Sequence, residues 1–336
     1  MSGCVKDTYK EIIGKCPTVI AANPVDGSNN VPFNQVIAVT FNEKMNPLTI
    51  NQQSFTVRGS APITGVITYT DSTASFKPST PLSPNTTYTA RISTAVKDKL
   101  GNALQADYVW FFSTGAFFMD LQTASRFGIL AATGIFNNAG QSEIRNMDVG
   151  ISPAARSSVV GFPPAIILNG AIYASDDLSP AGIPAMLIQA KQQLTDAYLA
   201  AEGLIFPAAT TVSGDIGGTT LTPGIYKSNS TLLIQSGDLT LDAQGNDNAI
   251  WIFQVASGLT TVGGACGNVI LTGGAKANNV FWQTGSSATI GDNTSFKGNV
   301  MALTSISMKS GAVAEGRMLA INGAVVLTNT NIIEKP

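Results

Sequence analysis

The sequence predicts a mostly β protein. A small β-sandwich is followed by a three-faced β-helix, with one long α-helix packed along one face. Three observations lead to this prediction: short strand-forming runs separated by turn residues fill the first third, the last third repeats itself, and one segment has helical periodicity. At 336 residues, the chain is long enough for two domains.

The composition argues against several classes of function. Histidine is absent, which removes the usual general base and the commonest metal ligand. The net charge is −2 without a long basic run, so nucleic acid is not an expected partner. No apolar run approaches the roughly 20 residues that a membrane-spanning helix needs. We therefore expect no cofactor, no metal and no membrane-spanning segment.

The N-terminal segment, residues 1–16, contains two of the 3 cysteines. Its MSGC start is similar to the end of a bacterial lipoprotein signal, which would place a lipid on Cys4. Alternatively, Cys4 pairs with Cys16 in a disulfide. Both alternatives fit a secreted or extracellular protein, the first with a lipid anchor at the bacterial surface. Cys266 is expected to be a free thiol in a loop or in the core.

Residues 17–115 have the pattern of a β-sandwich. Strand-like runs such as VIAVTFN, ITGVITYT and YVWFFSTG recur between turn signals such as PVDGSNN and KDKLGN. The successive segments PVDGSNNVPFNQVIAVTFNEKMNP, TASFKPSTPLSPNTTYTARIS and VKDKLGNALQADYVWFFSTG resemble bacterial Ig-like domains of surface proteins. The resemblance implies a spacer, or a unit that docks to a cell-surface or neighbouring protein. Residues 116–126 are the expected linker to the second domain.

The second domain, residues 127–336, is predicted from an internal repeat. WIFQVASGLTTVGG (251–264) and VFWQTGSSATIGDN (280–293) align without a gap, and VMALTSISMKSG (300–311) and MLAINGAVVLTNT (318–330) follow the same plan. Each unit has a strand that is apolar on both faces, then an alternating strand, then a third strand such as DLTLDAQG or NVILTGG. Three strands in each turn of about 18–30 residues predict a stacked β-helix.

One segment, SPAGIPAMLIQAKQQLTDAYLAAEG, is predicted to be helical, from an N-cap at Ser179 and Pro180 to Gly203. The first strand of each repeat is apolar at consecutive positions, so its outer side needs a cover. We infer that the helix lies along these strands and buries them. Its apolar stripe is formed by Ile183, Leu187, Leu194 and Tyr198.

The second strands keep one side free. Because side chains alternate along a strand, every second residue points outward and stacks with the equivalent residue of the next turn. One outward file contains Thr260, Thr289, Ser307 and Val326. The next contains Val262, Gly291, Lys309 and Thr328, with Thr330 beyond it. This flat, rigid and nearly uncharged surface of methyl and hydroxyl groups suits a ligand that is itself a regular lattice, such as ice.

Residues 127–333 resemble the microbial ice-binding protein family, whose fold is a discontinuous triangular β-helix beside a long helix. The resemblance implies adsorption to the surface of an ice crystal through one flat face, without catalysis or cofactor. We expect a monomer that inhibits ice growth and recrystallisation. The segments that carry the resemblance occur in family order: FGILAATGIFNNAG, MDVGISP, VVGFPPA, GGTTLTPGIYKS, LTLDAQGNDNAIWIFQ, NVFWQTGSSATIG and GRMLAINGAVVLTN.

The pattern of alternation assigns the ice contact to the second strands. The Thr/Ser file is imperfect, because Leu233, Val326 and Phe136 interrupt it. The third strands, with Thr240, Thr272 and Ser295, are the rival face. The predicted ice-binding residues are Thr133, Thr260, Val262, Thr289, Gly291, Ser307, Val326, Thr328 and Thr330.

Two other functions are alternatives. A cell-surface adhesin could bind glycan through the β-helix or the Ig-like domain, although Trp251 and Trp282 fall on the helix-covered strands and are expected in the core. A polysaccharide-acting β-helix enzyme would need clustered carboxylates or a basic residue near bound calcium. Its candidate residues fall at corners and turns of the repeat rather than in one file. They are Asp242, Asp247, Asp292 and Arg317.

Overall fold

The computed structural model describes residues 16–84, 86–115, 119–205 and 208–336. The chain divides into two compact units, Met1–Phe117 and Phe118–Pro336. Each unit has its own hydrophobic core. The predicted fold class, with a sandwich that precedes a β-helix carrying one long helix, is confirmed.

The first unit is a sandwich of two four-stranded sheets. Its strands are β1 (Val19–Asn23), β2 (Ser28–Val31), β3 (Ile37–Phe41), β4 (Phe55–Arg58), β5 (Gly65–Thr70), β6 (Thr73–Pro78), β7 (Thr87–Ile92) and β8 (Tyr108–Thr114). The sheet orders are β1-β3-β6-β5 and β2-β8-β7-β4. Alternate residues of the strands point inward, so the rings of Phe55, Phe76 and Trp110 meet in the core.

The cysteines differ in state. Cys16 is disulfide-bonded, and Cys266 is a free, partly exposed thiol. Both predicted alternatives for Cys4, a lipid anchor and a bond to Cys16, lie outside the described residues.

The second unit is a β-helix built from short strands. They are β9 (Phe127–Ala131), β10 (Ile135–Asn137), β11 (Glu143–Arg145), β12 (Asp148–Ile151), β13 (Val159–Val160), β14 (Ile166–Leu168), β15 (Ile172–Ala174), β16 (Thr210–Thr211), β17 (Gly214–Asp215), β18 (Thr220–Leu221), β19 (Gly224–Ser228), β20 (Leu232–Ile234), β21 (Leu239–Asp242), β22 (Trp251–Val255), β23 (Leu259–Thr261), β24 (Val269–Thr272), β25 (Val280–Thr284), β26 (Ala288–Ile290), β27 (Ser295–Ala302), β28 (Ile306–Met308), β29 (Val313–Ala320), β30 (Val325–Leu327) and β31 (Ile332–Glu334).

Successive strands occupy three faces in turn. Face 2 is the eight-stranded parallel sheet β13-β10-β30-β28-β26-β23-β20-β17. Face 1 is formed by β9, β12, β15, β16, β19, β22, β25 and the C-terminal halves of β27 and β29. Face 3 is formed by β11, β14, β18, β21, β24, β31 and the N-terminal halves of β27 and β29. Strands β27 and β29 therefore run across a corner without a break.

The stacking order of the turns is not the chain order. The first turn, β9 to β11, pairs with the last turn of the chain: β9 pairs with β29, β10 with β30 and β11 with β31. The β-helix is therefore discontinuous, as the family resemblance implied. Its interior is filled by large side chains in register, such as the stack of Tyr226, Phe253 and Trp282, with ring centroids 5.4 and 3.9 Å apart.

Helix α1 (Ile183–Gly203) covers face 1. The predicted stripe is buried, and the helix contacts β15, β22 and β25. The amide of Gln254 on β22 donates hydrogen bonds to Ala201 O (2.8 Å) and Leu204 O (2.7 Å), which satisfies carbonyls at the helix end. Both tryptophans of face 1 are fully buried, as predicted.

The predicted start of the helix at Ser179 and Pro180 is wrong. The helix begins at Ile183, and the N-cap residue is Gly182, whose φ of 91° is in the left-handed region that favours glycine. No side chain caps this end. The Ser-Pro pair precedes the left-handed residue, which separates it from the first helical turn.

The pKa of Lys191 on α1 tests whether the helix excludes water from face 1. Its Nζ donates to Ala320 O (2.8 Å) and Ile321 O (2.6 Å). Burial lowers the pKa of this lysine to about 8, whereas an unfolded lysine titrates near pH 10.4. Between these values the unfolded chain binds more protons, so the free energy of unfolding should rise with pH by about 3 kcal/mol. Chemical denaturation of wild type against Lys191→Met measures this rise as a difference.

Lys276→Met, at an exposed lysine, is the matched control. It should track the wild type through the same pH range. A wild-type advantage over Lys191→Met that is constant from pH 7 to 10.5 would contradict a desolvated Lys191.

Candidate functional site

The central file of face 2 is in register across the whole sheet. One outward residue of each strand pairs with the equivalent residue of the next strand. The backbone ladder spaces them about 4.8 Å apart. In order along the sheet, the central file is Asp215, Leu233, Thr260, Thr289, Ser307, Val326, Phe136 and Val160.

Burial of the flanking residues fixes which side chains point outward. In β20, β23, β26, β28, β30 and β10, the middle residue is half-buried and both neighbours are buried. Ten of these twelve neighbours are apolar, the exceptions being Thr261 and Asn137, and a shift by one residue would expose them, so the register is strongly specified. The structure therefore brings Thr260, Thr289, Ser307 and Val326 together as a row on the outer surface.

A second row of small residues lies beside the central file, two positions earlier along the chain and directly before the first residue of each strand. The backbone ladder continues through it, for example from Ala288 N to Ser305 O (3.0 Å) and from Val325 N to Gly134 O (3.0 Å). The sequence prediction missed this row, although small residues two places before each central residue were a usable signal. The upstream file is Thr231, Gly258, Ser287, Ser305, Ala324 and Gly134.

Some hydroxyl groups of this surface are held by neighbours. Ser287 Oγ and Thr304 Oγ1 are 2.7 Å apart, and Ser305 Oγ accepts from Ala324 N at 3.2 Å. Hydroxyl groups with fixed rotamers present donors and acceptors at fixed spacings, which is a requirement for ordering water in a regular pattern.

The downstream file, two positions after the central one, is broken at Gly291. This glycine was predicted to point outward, but it is buried. Its N–H donates to Thr261 Oγ1 (2.7 Å) instead of to a carbonyl of the ladder, and an added Cβ would lie 2.5 Å from Thr261 O. A hydroxyl inside the coil thus draws the strand inward. The other members of the downstream file are Gln235, Val262, Lys309, Thr328 and Asn138.

Two further predicted residues lie at corners. Thr330 follows the end of β30, has a φ of 59° and donates to Asn329 Oδ1 (3.2 Å), so it lies on the turn into face 3 rather than on face 2. Thr133 is exposed before β10 and lines a groove of about 460 Å³ beside α1. Val262 and Thr328 occupy the downstream positions predicted for them.

Charge is confined to the margins of face 2. Within the three files, only Asp215 and Lys309 are ionisable. Desolvation opposes ionisation of Asp215, but the Ser236 hydroxyl and the N–H groups of Gly217, Gln235 and Ser236 donate to it and lower its pKa to about 2. It is therefore an anion on the terminal strand β17, where a charge discourages pairing with another sheet edge.

Face 3 has the opposite character. Ion pairs join neighbouring strands: Lys297 to Glu315 (2.8 Å) and Arg145 to Glu334 (3.7 Å). These groups are partly exposed and need water, so they disfavour contact with a rigid lattice. The hydroxyls of the rival face, at Thr240 and Thr272, lie on β21 and β24 of this face.

The residues considered for catalysis do not form one site. Asp242 Oδ1 accepts from Gln244 N (2.9 Å) in a turn, and Asp292 is exposed at a corner. Arg317 is buried, donates to Ser125 O (2.8 Å) and Asn299 Oδ1 (2.7 Å), and has its pKa lowered to about 10 by burial. Through these hydrogen bonds, Arg317 of β29 connects the segment before β9 to β27.

The described residues contain no group of three or more His, Cys, Asp or Glu side chains that could hold a metal ion. No helix in these parts of the chain is both long enough and apolar enough to cross a bilayer.

Comparison with protein families divides the chain in two. Residues 129–333 match the family described as Ice-binding-like. Residues 14–114 match the bacterial Ig-like domain.

Similar proteins from several organisms are named ice-binding proteins. The chain is 42% identical over 213 residues to an ice-binding protein of Nostoc sp. (strain HG1), a match that covers 63% of this chain and 72% of that protein. It is 34% identical over 233 residues to ice-binding protein 1 of Shewanella frigidimarina (strain NCIMB 400), which covers 64% of this chain and 26% of that protein. These relatives are named for ice binding rather than for an enzymatic activity.

Solved structures agree with the fold. An ice binding protein from an Antarctic biological consortium superposes with a TM-score of 0.59 at 42% identity, over 67% of this chain and 94% of that one. A domain of ice-binding protein 1 from Shewanella frigidimarina gives a TM-score of 0.61 at 33% identity, over 65% of this chain and 98% of that one.

The break at Gly291 generates a prediction about stability. Gly291→Ala should lower the free energy of unfolding by about 2 kcal/mol or more, because the new methyl group meets the backbone of Thr261 and Val262. Gly203→Ala is the control, since an added Cβ there meets nothing within 4 Å. Thermal unfolding followed by circular dichroism gives the comparison. Equal melting temperatures for the two variants would contradict the close approach at Gly291.

Proposed function

This chain belongs to the ice-binding-like family, and from that membership we propose that it adsorbs to ice through face 2 and thereby inhibits ice growth and recrystallisation. The contact surface is the central file from Thr260 to Phe136 together with the upstream file beside it. Val262 and Thr328 border this surface on the other side. Neither a cofactor nor a reacting group is needed for adsorption.

The observation that carries this proposal is the unbroken register of the central file. Residues on adjacent strands recur about every 4.8 Å, and alternate outward residues on one strand lie about 6.8 Å apart. Such a two-dimensional array has repeats of the same order as those of a crystalline lattice. An array without charge in its centre holds its water only weakly, so that water is available to join a lattice.

Adsorption explains inhibition without chemistry. Hydroxyl and backbone groups hold waters at regular spacings, while the methyl groups of Thr and Val exclude water between them. When these waters join the ice lattice, the protein is fixed to the crystal. Ice then grows only between bound molecules, and the curvature of the growing front opposes further growth.

Face 3 is the weaker candidate for this contact. Lys297, Glu315, Glu334 and Arg145 project from adjacent strands and keep their hydration. Removing that water costs free energy. Contact with ice does not compensate this cost, because a neutral lattice offers no counter-charge. Face 1 is covered by α1.

The remaining parts of the proposal concern context. The Ig-like domain is a spacer, or docks to a cell-surface or neighbouring protein. The chain acts outside the cell as a monomer and is not an enzyme. The scattered placement of Asp242, Asp292 and Arg317 supports the absence of catalysis.

Large side chains introduced into the central file test whether face 2 is the ice contact. Thr260→Tyr and Thr289→Tyr should each abolish ice shaping and enrichment in slowly grown ice, because an upright ring separates the surface from a flat lattice. Both positions are half-buried on the outer side of face 2, so the fold should persist. Ice-affinity partitioning, with circular dichroism as the folding check, is the measurement.

Thr272→Tyr makes the same exchange on face 3, where the residue is exposed. It should leave ice binding unchanged. Loss of binding in Thr272→Tyr, with full binding in Thr260→Tyr and Thr289→Tyr, would transfer the site to face 3.

The β-helix should bind ice on its own. The two hydrophobic cores share no residue, so a chain without residues 1–115 should keep its fold and its enrichment in ice. A folded but ice-excluded product would place the contact in the Ig-like domain.

A further inference from the structure

The apolar end of face 2 is built differently from its hydroxyl-bearing middle. In the central file, Ser307 is followed by Val326, Phe136 and Val160 on adjacent strands in register. A phenylalanine at this position conflicts with flatness, since strand side chains stand roughly perpendicular to their sheet. An upright ring would project above both neighbouring valines.

The ring of Phe136 does not stand upright. A Cβ added to Gly134 would lie 2.5 Å from Cζ of Phe136 and closer still to Cε2. Gly134 directly precedes β10 and lies two residues before Phe136, so both residues face the outer side of this extended segment. The ring is therefore laid back along the strand and occupies the space directly outside the glycine.

One side chain thus fills two outward positions. The same two positions beside them are held by Ala324, which directly precedes β30, and by Val326 of β30. A bare glycine beside Ala324 would leave a gap in the surface, and the ring of Phe136 closes it. Covering a strand glycine with a neighbouring aromatic ring is a known way of protecting its backbone.

We propose that Gly134 and Phe136 act as a pair that keeps face 2 level across β10 and so extends the ice contact to its apolar end. This inference rests on the proposed function. Gly134 is a positioning residue in the pair, because it has no side chain to touch ice and acts by letting the ring of Phe136 lie down. Phe136 supplies the contact surface itself.

The test is a double-mutant cycle in the full chain. Gly134→Ser places a side chain where the ring lies, and the displaced atoms are the far end of a flexible side chain, so the chain still folds. The ring must then turn away from the surface of the strand. We expect thermal hysteresis and partitioning into ice to fall roughly two-fold, because the raised ring holds the neighbouring strands off a flat lattice.

Gly134→Ser combined with Phe136→Thr removes the ring and restores a level surface. The strand then reads Ser-Ile-Thr, the kind of pattern found in Ser305–Ile306–Ser307 and in Ser287–Ala288–Thr289. We expect this double variant to regain wild-type ice binding. Phe136→Thr alone leaves the glycine uncovered and should fall between the double variant and Gly134→Ser.

Gly203→Ser is the matched control. It makes the same exchange at the end of α1, outside the proposed ice contact, where an added Cβ meets nothing within 4 Å. We expect no loss of ice binding. Melting temperatures of all variants separate an effect on the surface from an effect on the fold.

A second readout does not depend on ice. A ring above Gly134 shifts the glycine Hα resonances upfield in the NMR spectrum, and Phe136→Thr should remove the shift. Ice binding of Gly134→Ser equal to wild type, or a double variant no better than Gly134→Ser, would overturn the inference. If the wild-type chain is excluded from ice, the proposed function fails, and the Hα shift then reports separately whether the paired geometry exists.

Discussion

The parallel hydrogen-bonded ladder of face 2 is the constraint on which the rest of the structure depends. Each strand contributes only two or three residues to it, so no strand could hold its orientation alone. Stacking fixes the spacing of the strands and therefore the spacing of the side chains. The in-register pairs from Leu233 to Phe136 follow from that ladder, and so does the flatness on which the proposed contact with ice depends.

The three faces solve one packing problem in different ways. Every coil buries its inner side chains against the next, but each outer side has to be covered, charged or left bare. On face 1 the cover is α1. Gln254 and Lys191 donate hydrogen bonds to backbone carbonyls where the helix meets the coil. Face 3 carries ion pairs such as Lys297 with Glu315. Face 2 is left bare, and its own eight-stranded ladder keeps it ordered.

Much of this fold could be predicted from the sequence because alternation and repetition are local signals. They placed Thr260, Thr289, Ser307 and Val326 in one row and Trp251 and Trp282 in the core. The position of Gly291 could not be predicted in this way, because it depends on the inward hydroxyl of Thr261, which replaces a ladder bond. The start of α1 was missed because a glycine in the left-handed region, rather than a polar cap, sets it.

The docking of the first turn on the last turn has a consequence for how the molecule forms. Asn331 N donates to Ser142 Oγ across 189 residues of sequence, and Arg317 reaches back over 192 residues to Ser125 O. Contacts of such long range form slowly, because the loop entropy is lost before the contacts repay it. Because synthesis proceeds from the N-terminus, β10 is made long before its partner β30. The level surface at Val326 and Phe136 is therefore completed only when the end of the chain arrives, which makes it a property of the finished protein alone.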